Sequence, residues 1–425
     1  MDAGIVVAET HDKDVVTDAY KINDRILRVI THEDGNFEKE LFASVSDALY
    51  FDQSNPDGWK KLFKIFENPA LQLATFSITE KGYNLWDSQG NLLPAIEDDI
   101  KNGPEAPKNN MASLTSLMFA RFKAGKYPMA LLSTDNFSQN GEKLEKSVLT
   151  IAKGWEKNGL VPSEFVDYLQ DDKKVSFPLS MIDRITPNPS ETVSDKLKAD
   201  GFEDYQIFHT PGHTNIAAFT NTEEVHYLVV EDDFPNGRPA LDKAGVILTN
   251  RDTVNDADEM KVTTCLNPLH TALAVNGSLL GFNSIAKEVS DPDMLNLIKQ
   301  IGYVEGLPVV TDPKVINPKK FIDQLVNNVF QTHTAQICHS ELLPILLRSC
   351  QFVTASQFNI TLMILNVTLK IFTSFHWFLQ LGAVTLWQLM IKASHLNQAE
   401  IQCCQNFSQK LPTLNSVKRL MFMHI

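Results

Sequence analysis

Two side chains that can exchange a proton and one amide that can hold an oxyanion fall within one short apolar run, "KVTTCLNPLH": Lys261, His270 and Asn267. An amine that gives up its proton is a base, and an amide N–H can hold a developing oxyanion. An imidazole three residues further along a helix shares its face and can orient a hydroxyl. Together they suit removal of a proton from an alcohol by side chains alone. Each also has an ordinary alternative: an exposed helix-start lysine, an N-cap asparagine before Pro268, and a satisfied core histidine.

The surrounding elements must position these groups. "LHTALAVNGSLLGFNSIAKEV" is apolar at three- and four-residue spacing, so the chain turns helical from about Ala257. Earlier, "GIVVAE" and the apolar runs at 71–78, 128–132 and 227–230 have the pattern of buried parallel strands, separated by helical stretches such as 111–123. Strands alternating with helices predict an α/β fold with a parallel sheet over 1–254 and a helical domain that begins at 255 and runs to 327.

Charge excludes some functions. With 52 acidic against 38 basic residues in 425, and a net charge of −14, the chain lacks the clustered Lys and Arg that nucleic-acid phosphates require. No basic stretch and apolar core of a secretory signal follow Met1, so the cytoplasm is the expected compartment. "HTPGH", with His209 and His213, has a metal-like spacing, but a Pro-Gly turn between two loop histidines accounts for it, and no metal site is expected. Nothing in the sequence specifies an oligomeric state.

The composition breaks near Asn328. Beyond it there is no Asp, the acidic residues are Glu341 and Glu400, and four of the five cysteines are there: Cys338, Cys350, Cys403 and Cys404. Residues 371–391 carry no formal charge and match the roughly 20 residues that span a bilayer. Ser374, His376, Gln380 and Gln388 argue against a membrane anchor. A shifted reading frame explains the break better. Codons for 387–404, 339–350 and 329–333 can be chosen so that the frame one base earlier reads MAIDDKGKPFEPSRDPML, PQRIATDTSQKL and RLPNP. The segment 328–425 is therefore expected to be a frameshift product, and the chain as written to be inactive or unstable.

An acidic residue closing a buried parallel strand can accept hydrogen bonds from the adenosine ribose hydroxyls of NAD and repel the extra phosphate of NADP. Glu9, at the end of "GIVVAE", is either such a residue or a solvated strand-end carboxylate. The Gly-rich turn that would cradle the pyrophosphate does not precede it, so the chain is expected to begin one β-α unit late.

Four ordered phrases, "STDNFSQNGEKL" (133–144), "FPLSMIDRITP" (177–187), "VEDDFPNGRPALDKAGV" (230–246) and "KVTTCLNPLHTALA" (261–274), together with "FSITEKGY" (76–83), resemble successive motifs of the long-chain polyol dehydrogenases. That family contains mannitol dehydrogenase and fructuronate (mannonate) reductase. The resemblance implies a zinc-independent, NAD-linked oxidoreductase that interconverts a secondary alcohol and a ketone, with a Rossmann domain, an all-helical domain and the site between them. The implied partner is a small sugar acid or polyol.

The resemblance also implies roles: Lys261 as base, Asn267 and His270 as donors to the substrate, and either Asn136 or Asn140 as a second oxyanion amide. It implies Asp183, followed by Arg184, beside the substrate, and Glu9 and Thr79 on the cofactor. A turn at "QNG" and an Asp183–Arg184 structural pair are the alternatives for those positions. In the mannitol dehydrogenases the lysine and asparagine are five apart; here they are six, a difference of about 100° around an α-helix. "CLNPLHTALA" and "YVEGLPVV" resemble the fructuronate reductase side, and the reconstructed "RIATDTSQK" would supply the arginine and lysine, eight apart, that the family gives to its substrate. The alternative function is a non-catalytic α/β binding module carrying a hydrophobic tail.

Overall fold

The computed structural model describes residues 4–330 except 21–25, 32–35, 53, 185–187, 224–225 and 283. The uncharged run at 371–391, and all of the expected frameshift segment beyond Phe330, lie outside the described residues.

Continuous apolar runs form buried parallel strands. Met129–Ser133 is buried along its whole length and pairs in parallel with Leu73–Phe76 on one side and Val175–Ser176 on the other. Ile5–Glu9 runs parallel to Val45–Tyr50. Helices Pro56–Glu67, Asn110–Gly125 and Asn140–Lys157 share one core with the Met129–Ser133 strand, built on Leu62, Phe66, Met118, Leu131, Ile151 and Trp155.

Helix Asn110–Gly125 begins where the Asn109 side chain accepts from the Met111 N–H at 2.8 Å, satisfying one of the free donors of the first turn. It is buried on nearly all sides, so its one interior charge needs acceptors. The Arg121 guanidinium donates to five backbone carbonyls, those of Tyr127, Phe66, Asn68, Leu71 and Pro128, at 2.6–2.9 Å. These bonds offset a desolvation penalty of several kcal/mol and fix the loop that enters strand Leu73–Phe76.

A further sheet departs from the all-parallel pattern. Its order is Ile247–Thr249, Tyr227–Glu231, Ser180–Asp183; the first pair is parallel and the second antiparallel. An antiparallel pair needs no helical crossover, and the intervening chain makes a separate excursion. That excursion holds helix Glu191–Ala199, the hairpin Ile207–His209 with Asn215–Ala217, and strand Phe219–Glu223. The last strand joins Ile26–Thr31 and Phe37–Phe42 in a small mixed sheet over Leu27, Val29, Val193, Leu197 and Phe219. "HTPGH" forms the turn of the hairpin, with the Thr210 N–H donating to the Thr214 carbonyl at 2.9 Å.

From Arg251 the described residues are mainly helical. Helix Arg251–Glu259 runs into a π turn, Met260–Cys265, and then helix Asn267–Leu280. Ile285–Val289, Pro292–Lys299 and Pro318–Gln324 follow. The core of this half includes Val254, Leu269, Leu273, Ile298 and Phe321, and also Leu179, Met181 and Val229. The antiparallel strands thus pack against the helices and carry Asp183 to the start of the helical half.

Candidate active site

Lys261 is 2% exposed, and its amine has two close acceptors. Nζ donates to Asn136 Oδ1 at 2.5 Å and to the Ile182 carbonyl at 2.9 Å, with Asp258 Oδ1 at 3.7 Å. Burial is the larger influence and holds the amine below the usual lysine range; Asp258 and Asp183 act against it as negative charges. The same burial raises the Asp183 carboxyl, which Lys261 in turn lowers.

The geometry divides the three positions of the amine. Two N–H bonds point at the two close oxygens, and the third position carries a proton in the ammonium form and a lone pair in the neutral form. A neutral Lys261 therefore keeps both hydrogen bonds and still has a site for an incoming proton.

The π turn bears on the spacing. The Leu266 N–H donates to the Lys261 carbonyl at 2.9 Å, an i to i+5 bond, so the helix widens at Lys261 and takes up an additional residue before Asn267. A rotation counted at α-helical pitch overstates the angular separation of the pair. Asn267 is exposed at the first residue of its helix. His270 lies one turn further on, its ring 5.1 Å from that of Phe330. Its Nε2 is enclosed, without a hydrogen-bond partner among the described residues, and burial pushes the imidazole down to about 4, so it is neutral at physiological pH. Among the described residues neither Asn267 nor His270 hydrogen-bonds Lys261.

Asn136 and Asn140 occupy different environments. Asn136 is exposed in the loop after strand Met129–Ser133. Lys261 donates to the Asn136 amide oxygen, so the contact turns that oxygen toward the amine and leaves the amide N–H bonds facing elsewhere. Asn140 is buried and fully engaged. Its Nδ2 donates to the Asp135 carbonyl at 3.1 Å and to Ser180 O and Oγ, both at 2.9 Å. Its Oδ1 accepts from Gly141 N at 2.8 Å and Ser180 N at 3.1 Å. It locks the end of one strand against the start of another.

Asp183 ends the Ser180–Asp183 strand, half-buried, one residue after the carbonyl that receives Lys261. Arg184 donates through Nε to the Thr222 hydroxyl at 3.0 Å. Glu9 ends its strand half-buried, and its Oε1 accepts from the His11 N–H at 2.7 Å and the Asp12 N–H at 3.2 Å. Both bonds fall on one oxygen, and a carboxylate so anchored has the chemistry to receive ribose hydroxyls. Thr79 is exposed and left-handed, with φ 61°, directly after the region that follows strand Leu73–Phe76.

Two carboxylates were not singled out from the sequence. Asp258 has a spacing signal, since it precedes Lys261 by one helical turn. Asp135 stands inside "STDNFSQNGEKL", and its meaning depends on partners far away in the chain. Its carboxylate accepts from Ile78 N at 2.9 Å, Thr79 N at 3.0 Å and the Tyr83 hydroxyl at 2.6 Å.

Residues 3–243 match the family model described as the mannitol dehydrogenase Rossmann domain. Over 329 residues the chain is 51% identical to D-mannonate oxidoreductase of Thermotoga maritima, an alignment covering 77% of this chain and 60% of that protein. It is 28% identical over 270 residues to polyol:NADP oxidoreductase of Gluconobacter oxydans, covering 63% of this chain and 51% of the relative. The chain thus spans only part of the length of these relatives. The solved ternary complex of Pseudomonas fluorescens mannitol 2-dehydrogenase with NAD and D-mannitol superposes with a TM-score of 0.64 at 25% identity, over 80% of this chain and 64% of that one.

Proposed function

Because this chain belongs to the mannitol dehydrogenase family, we propose that it is an NAD-dependent oxidoreductase interconverting a secondary alcohol and a ketone of a sugar acid, with mannonate and fructuronate preferred over mannitol and fructose. The observation that carries this reading is the buried Lys261 amine, held between the Asn136 amide and the Ile182 carbonyl beside Asp183. The 51% identity to a D-mannonate oxidoreductase supports the acid over the neutral polyol, and the NAD in the related ternary complex supports the cofactor.

In this reading neutral Lys261 takes the hydroxyl proton at its third position, while Asn136 and Asn267 offer amide N–H groups to the oxygen as its charge grows. His270, kept neutral by burial, orients the neighbouring hydroxyls, and Asp183 lines the substrate side with Arg184 behind it. NAD supplies, when bound, the acceptor for the carbinol hydride. Glu9 and Thr79, at the ends of parallel strands where such ligands bind, would hold its nucleotide portion. Side chains, not zinc, carry the alkoxide. The compartment in this reading is the cytoplasm; among the described residues no helix is long and apolar enough to cross a membrane.

We further propose that the body folds as the parallel-sheet part to 254 and a helical part from 255, and that a frame change near Asn328 impairs the chain as written. The test is NAD-linked oxidation of D-mannonate by the chain as written and by a frame-restored chain. Mannonate-dependent NADH formation that rises on restoring the frame and disappears in Lys261→Met supports the reading. Activity retained in Lys261→Met, or activity with mannitol exceeding that with mannonate, opposes it.

A further inference from the structure

Asp135 is a buried carboxylate that touches none of the residues assigned to substrate or cofactor through their side chains, yet it sits between both groups. Its two oxygens are filled from one direction. Oδ1 accepts from the Thr79 N–H, and Oδ2 from the Ile78 N–H and the Tyr83 hydroxyl, whose oxygen also lies 2.9 Å from Ser133 Oγ. Thr79 is a β-branched residue with φ 61°, a conformation costing on the order of 1–3 kcal/mol that persists only where neighbours over-determine it. Two charge-assisted bonds from one carboxylate are of the size needed to hold it.

The main chain of Asp135 is fixed from the other direction. Its carbonyl, which forms the peptide linking it to Asn136, accepts from Asn140 Nδ2 at 3.1 Å and from the Phe137 N–H at 3.0 Å. The next side chain, Asn136, is exposed except for its bond to Lys261 and has no core packing to place it. Its direction is set by the peptide that carries it.

We propose that Asp135 is a positioning residue that ties the left-handed Thr79 turn to the Lys261 amine, acting through the Asp135–Asn136 peptide and the Asn136 amide oxygen. The two ends it joins are those read above as the cofactor side and the base, so the inference rests on that reading for its catalytic meaning. The mechanical link requires no turnover and can be measured without it. Among the described residues the charged groups facing Lys261 are Asp258 on its own helix and Asp183 on the neighbouring strand; Asp135 is separated from the amine by Asn136.

The experiment is an NMR titration of the intact chain carrying isotope-labelled lysine, with the Lys261 side-chain signal assigned by its loss in Lys261→Met, since an amine 2% exposed is poorly reached by reagents. Asp135→Asn keeps the shape of the side chain but sets an NH₂ against an N–H or a hydroxyl. Displacing the Asn136 oxygen removes an acceptor that favours the ammonium form, so the titration midpoint falls by about one pH unit, a tenfold change in the protonation constant. Asn136→Ala gives the same fall, and the double variant adds nothing to it. A folded Asp135→Asn with an unchanged midpoint, or additive shifts in the double variant, overturns the proposal. Should Asp135→Asn not fold, Tyr83→Phe decides: it leaves both backbone bonds and removes the phenol, and a smaller fall in the same direction is expected, while no change overturns the proposal. A chain with no dehydrogenase activity whose Lys261 midpoint still follows Asp135 keeps the link and loses only the reaction.

Discussion

Asn136 Oδ1 and Lys261 Nζ lie 2.5 Å apart across 125 positions of sequence, joining the loop after a central parallel strand to a π turn at the start of the helical half. The contact turns two weak local signals into one site: an exposed asparagine in a turn and a lysine in an apolar run.

The two asparagines should separate by experiment. In the frame-restored chain Asn136→Ala removes an exposed side chain, so stability stays within about 0.5 kcal/mol of the unsubstituted chain while turnover falls about 10²–10³-fold for a lost oxyanion donor. Asn140→Ala takes the buried Ser180 N–H and carbonyl from their Asn140 partner and leaves the Asp135 carbonyl with the Phe137 N–H alone, destabilising the fold by about 1–3 kcal/mol. Urea unfolding of both variants, with turnover measured on each, checks this.

In the frame-restored chain Lys261→Met should remove about 10²–10⁴-fold of turnover, the range for a positioned base. It should leave NADH fluorescence quenching intact and lower stability by about 1–3 kcal/mol, because the apolar side chain leaves the Ile182 carbonyl without this donor and Asp183 and Asp258 without a nearby amine.

Arg121 is a structural charge, and its replacement should cost stability without altering the chemistry directly. Arg121→Met leaves five carbonyls without their donor and should destabilise by about 3–5 kcal/mol, read as a lower denaturation midpoint.

Much of this was legible in the sequence and some was not, for physical reasons. Buried parallel strands such as Met129–Ser133 announce themselves as continuous apolar runs, and the Lys261 segment as polar groups inside one. The mixed sheet of Ile26–Thr31 and Phe37–Phe42 went unread although Asp34-Gly35, a hairpin dipeptide, lies between the two runs in sequence. The Ile182 carbonyl that receives Lys261 has no residue-type signature, since every residue has a carbonyl. The π turn could not be read either: an i to i+5 bond differs from a helix by one residue of slack, and composition does not record it. Asp135 draws its role from two N–H groups 56 and 57 positions away.

Two buried titratable groups predict opposite pH effects on stability. Burial lowers His270 from 6.5 to about 4, so the unfolded chain binds more protons between those values; its contribution is complete above about 6.5 and is lost as pH falls toward 4. Burial raises Glu288 from 4.5 to about 8, so the native chain holds the extra proton; its contribution is complete below about 4.5 and is lost as pH rises to 8. The two windows overlap between about 4.5 and 6.5, where the opposing slopes offset, so thermal unfolding across pH 4–9 should show a plateau there and a fall from about 6.5 to 8, and Glu288→Gln should flatten that alkaline side.

The central claim is that Lys261 is a neutral amine when the reaction runs, and the most direct measurement is its ionisation in the intact chain, read from the NMR signal of its side chain across pH. The expected result is a midpoint well below the ordinary lysine value of about 10.4, unmoved by chelators. A midpoint at or above that value would leave the site without its base and contradict the account.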